Sequence, residues 1–417
     1  MKRFWKYLAA ILLLLVAASV GGGLYLLSYA LKPDAVMAAK NASAREYIRT
    51  EYPAVVPWLD SLERTGALRD TTIRGREGER LHALYAAAPR PTDRTAVIVH
   101  GYTDCAERML MVGYLYNHDL GFNILLPDLY YHGRSEGRAI RMGWLDRLDV
   151  LRWMEVADSL FGGHTQMVVH GISMGAATTM MLSGEEQRPY VKCFVEDCGY
   201  TSVWEQFAKE LGERFSLPTF PLLNVADALC RVKYGWSFRE ASALEQVKRC
   251  RLPMLFIHGD ADDFVPTGMV YPLFEAKPGE KKLWVVPGAA HAMSYHDNPD
   301  EYTRRVAAFV GRYIDGVPRF EAPAAADDSA TNDSAADGPA EDVDTPAAPA
   351  AADDSATNDS AADGPAEDVD TPAAPAAADD SATNDSAADG PAEDVDTPAA
   401  PAAPATGQAP AAAASGR

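Results

Sequence analysis

The run Gly171-Ile172-Ser173-Met174-Gly175 places a serine hydroxyl among small neighbours. A G-x-S-x-G pattern suits a sharp turn from a strand into a helix, where bulky flanking side chains would collide and the hydroxyl stands exposed above a sheet. Alone the pattern is weak, but its setting strengthens it. The apolar run Gln166–His170 precedes it and a helical stretch, Ala176–Leu182, follows. A helix beginning behind Ser173 also points its positive end at developing negative charge. The chemistry this suggests is nucleophilic acyl transfer. A serine hydroxyl is a poor nucleophile without a base, so a histidine oriented by a carboxylate must reach it.

On such strand-to-helix turns the acid and then the histidine follow the serine in the chain. Of nine histidines, only His291 and His296 lie beyond the last predicted strand. His291 directly follows Pro287-Gly288-Ala289-Ala290, a loop of small residues at a strand end, and is the expected base; His296 is the alternative. The acid belongs on the loop after Ile257, where Asp260, Asp262 and Asp263 all qualify. Asp197, after the preceding strand, is an outside candidate. His100-Gly101-Tyr102-Thr103 ends the first buried strand, so the backbone N–H of Tyr102, with that of Met174, is expected to form the oxyanion hole.

These residues need a frame, and the hydrophobic pattern supplies one. Thr71–Ala88 reads as a hairpin around Gly75 and Gly78. Short apolar strands follow at Ala96–Val99, Asn123–Pro127, Met167–Val169, Val191–Val195, Met254–Ile257 and Leu283–Val286. Between them lie helical stretches at Met109–Leu120, at Trp144–Phe161 with an apolar stripe of Leu145, Leu148, Leu151 and Val156, and finally at Tyr302–Ile314. This alternation predicts an α/β fold with a mostly parallel central sheet and helices on both faces. Chemistry in such sheets sits beyond the carboxyl ends of the strands, where every candidate above falls. From about residue 200 to 249 the alternation stops. Trp204, Phe207, Phe215, Phe220, Leu222 and Leu223, broken by Pro218 and Pro221, are expected to form a small helical cap with apolar walls over the site.

Several segments together carry a family resemblance: His100-Gly101-Tyr102-Thr103, Asp128 to Gly137, Gly143-Trp144-Leu145-Asp146-Arg147, the stretch from His170 around Ser173, the stretch from Glu196 to Trp204, and Ile257 to Pro266. They resemble the α/β-hydrolase superfamily, and within it the membrane-anchored bacterial branch similar to serine-aminopeptidase-like and monoglyceride-lipase-like hydrolases. The resemblance covers roughly Asp34 to Ile314. It implies Ser173 as nucleophile, His291 as base and, from the family pattern H-G-x-x-D-x-x-V-P, Asp262 as the acid. Two departures stand out. Tyr130-Tyr131 replaces the family's Arg-Gly before His132-Gly133, which is expected to reshape the pocket, and the histidine loop reads Gly-Ala-Ala-His rather than Gly-x-Gly-His.

The ends of the chain are of other kinds. Leu8 to Leu31 carries no formal charge and follows Lys2, Arg3 and Lys6. As a helix it is about 36 Å long, enough to cross a hydrocarbon core of about 30 Å. A cleaved signal peptide is the alternative, but the apolar run continues past Gly21-Gly22-Gly23 without a small-x-small cleavage site. The positive flank favours a cytoplasmic N-terminus and an extracytoplasmic catalytic domain. From Ala324 a 26-residue unit recurs at Ala350 and Ala376, with seven acids in each copy and Arg417 as the sole base of this segment. Nearly all of the net charge of −21 therefore lies there, and the rest of the chain is close to neutral. Nothing in it resembles a basic surface for nucleic acid. The repeats offer only Val343 and its copies as apolar residues beyond alanine and proline, so they are expected to be a disordered, self-repelling spacer.

The expected organisation is an anchor over 1–33, a helical lead-in over 34–68, a hydrolase domain over 69–319 and a tail over 320–417. Five cysteines (Cys105, Cys193, Cys198, Cys230, Cys250) lack metal-ligand spacing; Cys230 and Cys250 could pair in an oxidising compartment. The expected activity is hydrolysis of a carboxylic ester with an apolar acyl or alcohol part, with no metal or organic cofactor. A peptidase releasing N-terminal residues is the runner-up, and a non-catalytic surface protein on the same scaffold is the rival from another class.

Overall fold

Eight strands form one sheet in a computed structural model that describes residues 2–320. They are β1 (Arg69–Arg74), β2 (Arg80–Ala86), β3 (Arg94–Val99), β4 (Asn123–Pro127), β5 (Gln166–Ile172), β6 (Val191–Asp197), β7 (Met254–Gly259) and β8 (Lys281–Val286). Their order across the sheet is β1-β2-β4-β3-β5-β6-β7-β8. The β1–β2 and β2–β4 pairs are antiparallel, and every pair from β4 to β8 is parallel. This is the α/β-hydrolase fold, and the predicted Thr71–Ala88 hairpin is its antiparallel edge.

The helices begin with α1 (Lys2–Leu31), α2 (Asp34–Ala42), α3 (Ala44–Glu51) and α4 (Val56–Arg64). Then come α5 (Leu110–Tyr114), α6 (Asp146–Leu160) and α7 (Met174–Ser183). Between β6 and β7 lie α8 (Val203–Phe215), α9 (Leu222–Tyr234) and α10 (Ala243–Val247), which make the cap helical. The chain closes with α11 (Val270–Ala276), α12 (Ser294–Asp297) and α13 (Pro299–Val310). The acidic repeats fall outside the described residues.

Strand side chains alternate between two cores, as a period of two requires. Val97, Val99, Val169, Phe194 and Phe256 face one, with α6, α7 and α11. Ala96, Ile98, Val168, Val195 and Ile257 face the other, with α13 and the lead-in residues Ile48, Tyr52, Trp58 and Leu59. Each fully buried aliphatic side chain contributes about 1.5–3 kcal/mol, which is what fixes strand register around the site.

Two local expectations need correction, and one question left open by the sequence is answered. The helical stretch Met109–Leu120 is broken into a 3-10 turn (Ala106–Met109), α5 and a π turn (Leu115–Asp119). On α6 the inward face is Val150, Trp153, Met154 and Ala157, while Leu145, Leu151 and Val156 pack at its margin. The apolar arc is wider than the predicted stripe, and bulky Trp153 lies on the part that turns inward. Cys230 and Cys250 are separately buried free thiols rather than a bridged pair.

The same helix carries two buried acids. Burial raises Asp146 to about 6, against the pull of Arg141 and the Gly143 N–H. Burial and the nearby charge of Asp146 raise Asp149 to about 7, although Arg141 Nη1 lies 3.2 Å from its carboxylate. Between about pH 4 and 7 the folded chain thus keeps a proton on Asp149 that the unfolded chain has released, so this group's contribution to stability is lost as pH rises through that window. Buried His132 and His170, each held down to about 3 by burial, shift stability in the opposite sense up to about pH 6.5. The difference between Asp149→Asn and wild type isolates the carboxyl. Thermal unfolding at several pH values should show the variant gaining on wild type as pH rises, by up to about 1.4 kcal/mol per pH unit.

Candidate active site

The turn after β5 shows why the sequence around Ser173 is so small. A Cβ on Gly171 would lie 2.1 Å from the Gly175 carbonyl oxygen, and one on Gly175 would lie 2.0 Å from the Val99 carbonyl oxygen. Both are impossible approaches, so the two glycines are steric requirements of a helix starting directly over the sheet. Gly175→Ala should therefore destabilise the domain by about 3 kcal/mol or more, measured by denaturant unfolding. Ser173 itself holds φ 58 and ψ −120, a strained conformation for a residue with a side chain. Its N–H donates to the Asp197 carbonyl at 2.8 Å and its carbonyl accepts from Ala177 at 3.0 Å, so neighbouring elements hold the strain in place.

From this turn a relay of hydrogen bonds runs to β7. Ser173 Oγ lies 2.8 Å from His291 Nε2, and His291 Nδ1 lies 2.8 Å from Asp262 Oδ2. The second oxygen of Asp262 accepts the backbone N–H groups of Phe264 at 3.1 Å and Val265 at 2.9 Å. Burial alone would raise the Asp262 carboxyl. Hydrogen bonds from His258 and His291, the charge of His291 and the Val265 N–H outweigh it and hold the group at about 2. It is ionised throughout the physiological range.

The other acids and the other histidine lie elsewhere. Asp260 is exposed and accepts the Gly288 N–H at 2.6 Å, which ties down the loop that carries His291. Asp263 is exposed beside the cap. Asp197 is buried, accepting from Ser294 at 3.2 Å and Tyr302 at 3.0 Å, and burial first of all raises it to about 6. His296 pairs with Asp297 at 2.8 Å and packs edge-on against Tyr52. None of these side chains meets the Ser173 hydroxyl, and Asp197 reaches Ser173 only through its backbone carbonyl.

Tyr102 and Met174 flank Ser173 on the cavity wall. Neither backbone N–H donates to a backbone acceptor among the described residues, so both are free for a ligand oxygen. Gly101 permits this approach, since a Cβ there would lie 3.3 Å from Ser173 Cβ. His100 steadies the turn, with Nδ1 2.8 Å from the Gly101 carbonyl and Nε2 accepting the Leu129 N–H at 2.9 Å. Thr103, Ser173, Cys198 and Ala292 all hold positive φ without being glycine, and each follows the end of a strand beside the site. Strain of this kind concentrates where the surrounding structure holds groups for function.

Spacing alone did not single out two neighbours of the relay. Fully buried His258 places Nε2 2.9 Å from the Val265 carbonyl and 3.3 Å from Asp262 Oδ2, bracing the acid loop. Its position at the start of His258-Gly259-Asp260 was the available signal. Cys198 Sγ, with ligand atoms of Asp262 and His291, forms a group within 4.8 Å. That set suits a metal poorly, because burial first, then the nearby Asp197, Asp262 and Glu196 carboxylates, push the thiol well above its usual range. A metal there would also take both partners from the serine relay.

Above Ser173 lies a cavity of about 260 Å³. Cap residues Phe207, Leu211, Phe215 and Leu223 supply apolar walls, with Phe238 and Phe264 beside them. Tyr130 and Tyr131 do not line it, contrary to the expected reshaping of the pocket: Tyr130 stacks under the Arg141 guanidinium and the Tyr131 hydroxyl donates to Asp34.

Comparisons with known proteins agree with this architecture. The model of the Alpha/beta hydrolase family matches residues 96–305, just over half of the chain. The uncharacterized Bacillus subtilis (strain 168) protein YqkD is 32% identical over 233 residues, covering 56% of this chain and 76% of its own length. An uncharacterized Mycobacterium tuberculosis protein is 24% identical over 270 residues, 64% of this chain and 84% of its own. Among solved structures, the Pyrococcus furiosus esterase Pf2001 superposes with a TM-score of 0.50 at 22% identity, over 61% of this chain and 94% of that one.

Proposed function

Since the chain belongs to the alpha/beta hydrolase family, we propose that it is a serine hydrolase cleaving carboxylic esters through an acyl-enzyme on Ser173. The observation that carries this reading is the continuous relay from Ser173 Oγ through both nitrogens of His291 to a permanently ionised Asp262. In the first step His291 Nε2 takes the hydroxyl proton as Ser173 Oγ bonds to the ester carbonyl carbon. Asp262 fixes the Nδ1–H tautomer and stabilises the imidazolium. The carbonyl oxygen, now an anion, accepts the Tyr102 and Met174 N–H groups at the start of α7, a contribution of several kcal/mol to the barrier. Collapse expels the alcohol, which takes the proton from His291. Water activated by the same nitrogen then releases the acid and restores the serine. Each step conserves protons within the relay.

The cavity sets the substrate class. Its walls are mostly apolar, and the one acid lining it among the described residues, Glu210, is paired with Arg214. An aminopeptidase would need a free buried carboxylate for the substrate's amine, so the ester reading is preferred. α1 is long and apolar enough to cross a membrane. Lys2, Arg3 and Lys6 before the span support an extracytoplasmic position for the catalytic domain. The test is a panel of p-nitrophenyl esters of increasing chain length against aminoacyl-anilides. Ester turnover with no anilide turnover is expected; preferential release of N-terminal residues would assign the site to a peptidase, and no turnover of either by folded protein would favour a non-catalytic role.

A further inference from the structure

The last turns of α1 enter the folded domain. Leu27 and Leu31 are 1% and 0% exposed and share a core with Leu81, Val99 and Tyr130. The Tyr102 hydroxyl donates to the Ala30 carbonyl at 2.7 Å, and the Ile140 N–H donates to the Leu31 carbonyl at 2.9 Å. Before this, Gly22 and Gly23 press against cap helix α9. A Cβ on Gly22 would stand 2.9 Å from Leu222, and one on Gly23 would stand 3.1 Å from Val225 and Leu229. Small residues allow such close helix approach. Removing α1 would empty part of the core and leave the Tyr102 hydroxyl without its acceptor, right beside the oxyanion turn.

Helix geometry then fixes depth. Counting from Lys6, a hydrocarbon core of about 30 Å takes about 20 residues at 1.5 Å each and ends near Leu26. The contact between α9 and Gly22-Gly23 therefore lies within the leaflet nearer the domain. Beside it the cap exposes Phe220 (74%) and Leu217 (40%), apolar side chains suited to that depth. Leu26, at the rim of the hydrocarbon core, and Tyr29 and Ala30, about one helical turn above it, line the cavity that leads to Ser173.

We infer that the anchor helix is itself one wall of the substrate site, and that the hydrocarbon chain of a membrane-resident ester reaches Ser173 from the bilayer along Leu26, Tyr29 and Ala30. The inference rests on the esterase reading above and on α1 lying in the membrane. It makes α1 a determinant of chain-length selectivity rather than a tether alone.

The experiment uses the full chain in lipid nanodiscs and compares kcat/KM for p-nitrophenyl laurate and butanoate. Leu26→Trp narrows the wall and should lower the laurate-to-butanoate ratio at least about tenfold, while Val16→Trp, on the exposed part of the same helix, should change it less than about twofold. Leu26→Ala should move the ratio the other way, which guards against a tryptophan variant that fails to fold. Unchanged ratios in both Leu26 variants, with butanoate hydrolysis intact, would overturn the inference and leave the esterase reading standing. Absence of butanoate hydrolysis in wild type would overturn both.

Discussion

Ser173→Ala is expected to lower kcat/KM for a short ester by roughly 10⁵–10⁶-fold without changing the thermal midpoint. The loss is large because, in the proposed mechanism, the hydroxyl is the bond-forming atom. It is not total, because the Tyr102 and Met174 N–H groups would still polarise a bound carbonyl, which sustains a residual rate above water. Stability should hold because among the described residues the side chain makes one hydrogen bond, to His291, while the backbone bonds to Asp197 and Ala177 persist in alanine. Steady-state kinetics beside calorimetry reads both quantities.

Asp262→Asn is expected to cost roughly 10⁴-fold in kcat. The side chain keeps its shape, and its oxygen would still accept the Phe264 and Val265 N–H groups at the Oδ1 position. That acceptance turns the new NH₂ toward His291 Nδ1, where Oδ2 now sits. The imidazole must then carry its proton on Nε2, facing Ser173, and cannot receive another from the hydroxyl. Because the wild-type carboxyl is held at about 2, its protonation does not account for any loss of activity near neutrality. Its stabilising effect is present above the unfolded-state value near 4 and is lost only as pH falls through about 2. The variant should therefore show its rate defect across the whole neutral range.

The parts of this site that were legible in the sequence are those set by short-range rules. The glycines around Ser173, the small residues before His291 and the strand runs feeding both are local patterns, and the structure brings Ser173 and His291 together beyond the carboxyl ends of the strands. Choosing among Asp260, Asp262 and Asp263 was beyond local reasoning. All three share one turn, and only the path of that turn sends Asp262 inward to His291 while Asp260 faces the Gly288 N–H. Family resemblance made that choice. His258 was visible in its motif but not in its contact with Asp262. The inward face of α6 was not legible because its arc of apolar residues is wide, and only the packing of Val150, Trp153, Met154 and Ala157 shows its rotation. Least legible was the docking of α1 against the cap. Gly21-Gly22-Gly23 looks like a continuation of the apolar run until α9, some two hundred residues later, is seen against it. Contacts of that separation leave no periodic trace in either segment.

The central claim is that Ser173 is an activated nucleophile. Its most direct test is labelling of the full chain with a fluorophosphonate, followed by mass spectrometry of the adduct peptide. A single adduct on Ser173, absent from Ser173→Ala and strongly slowed in Asp262→Asn, is the expected result. Folded wild-type protein that stays unlabelled, or that carries the adduct on a different serine, would contradict it.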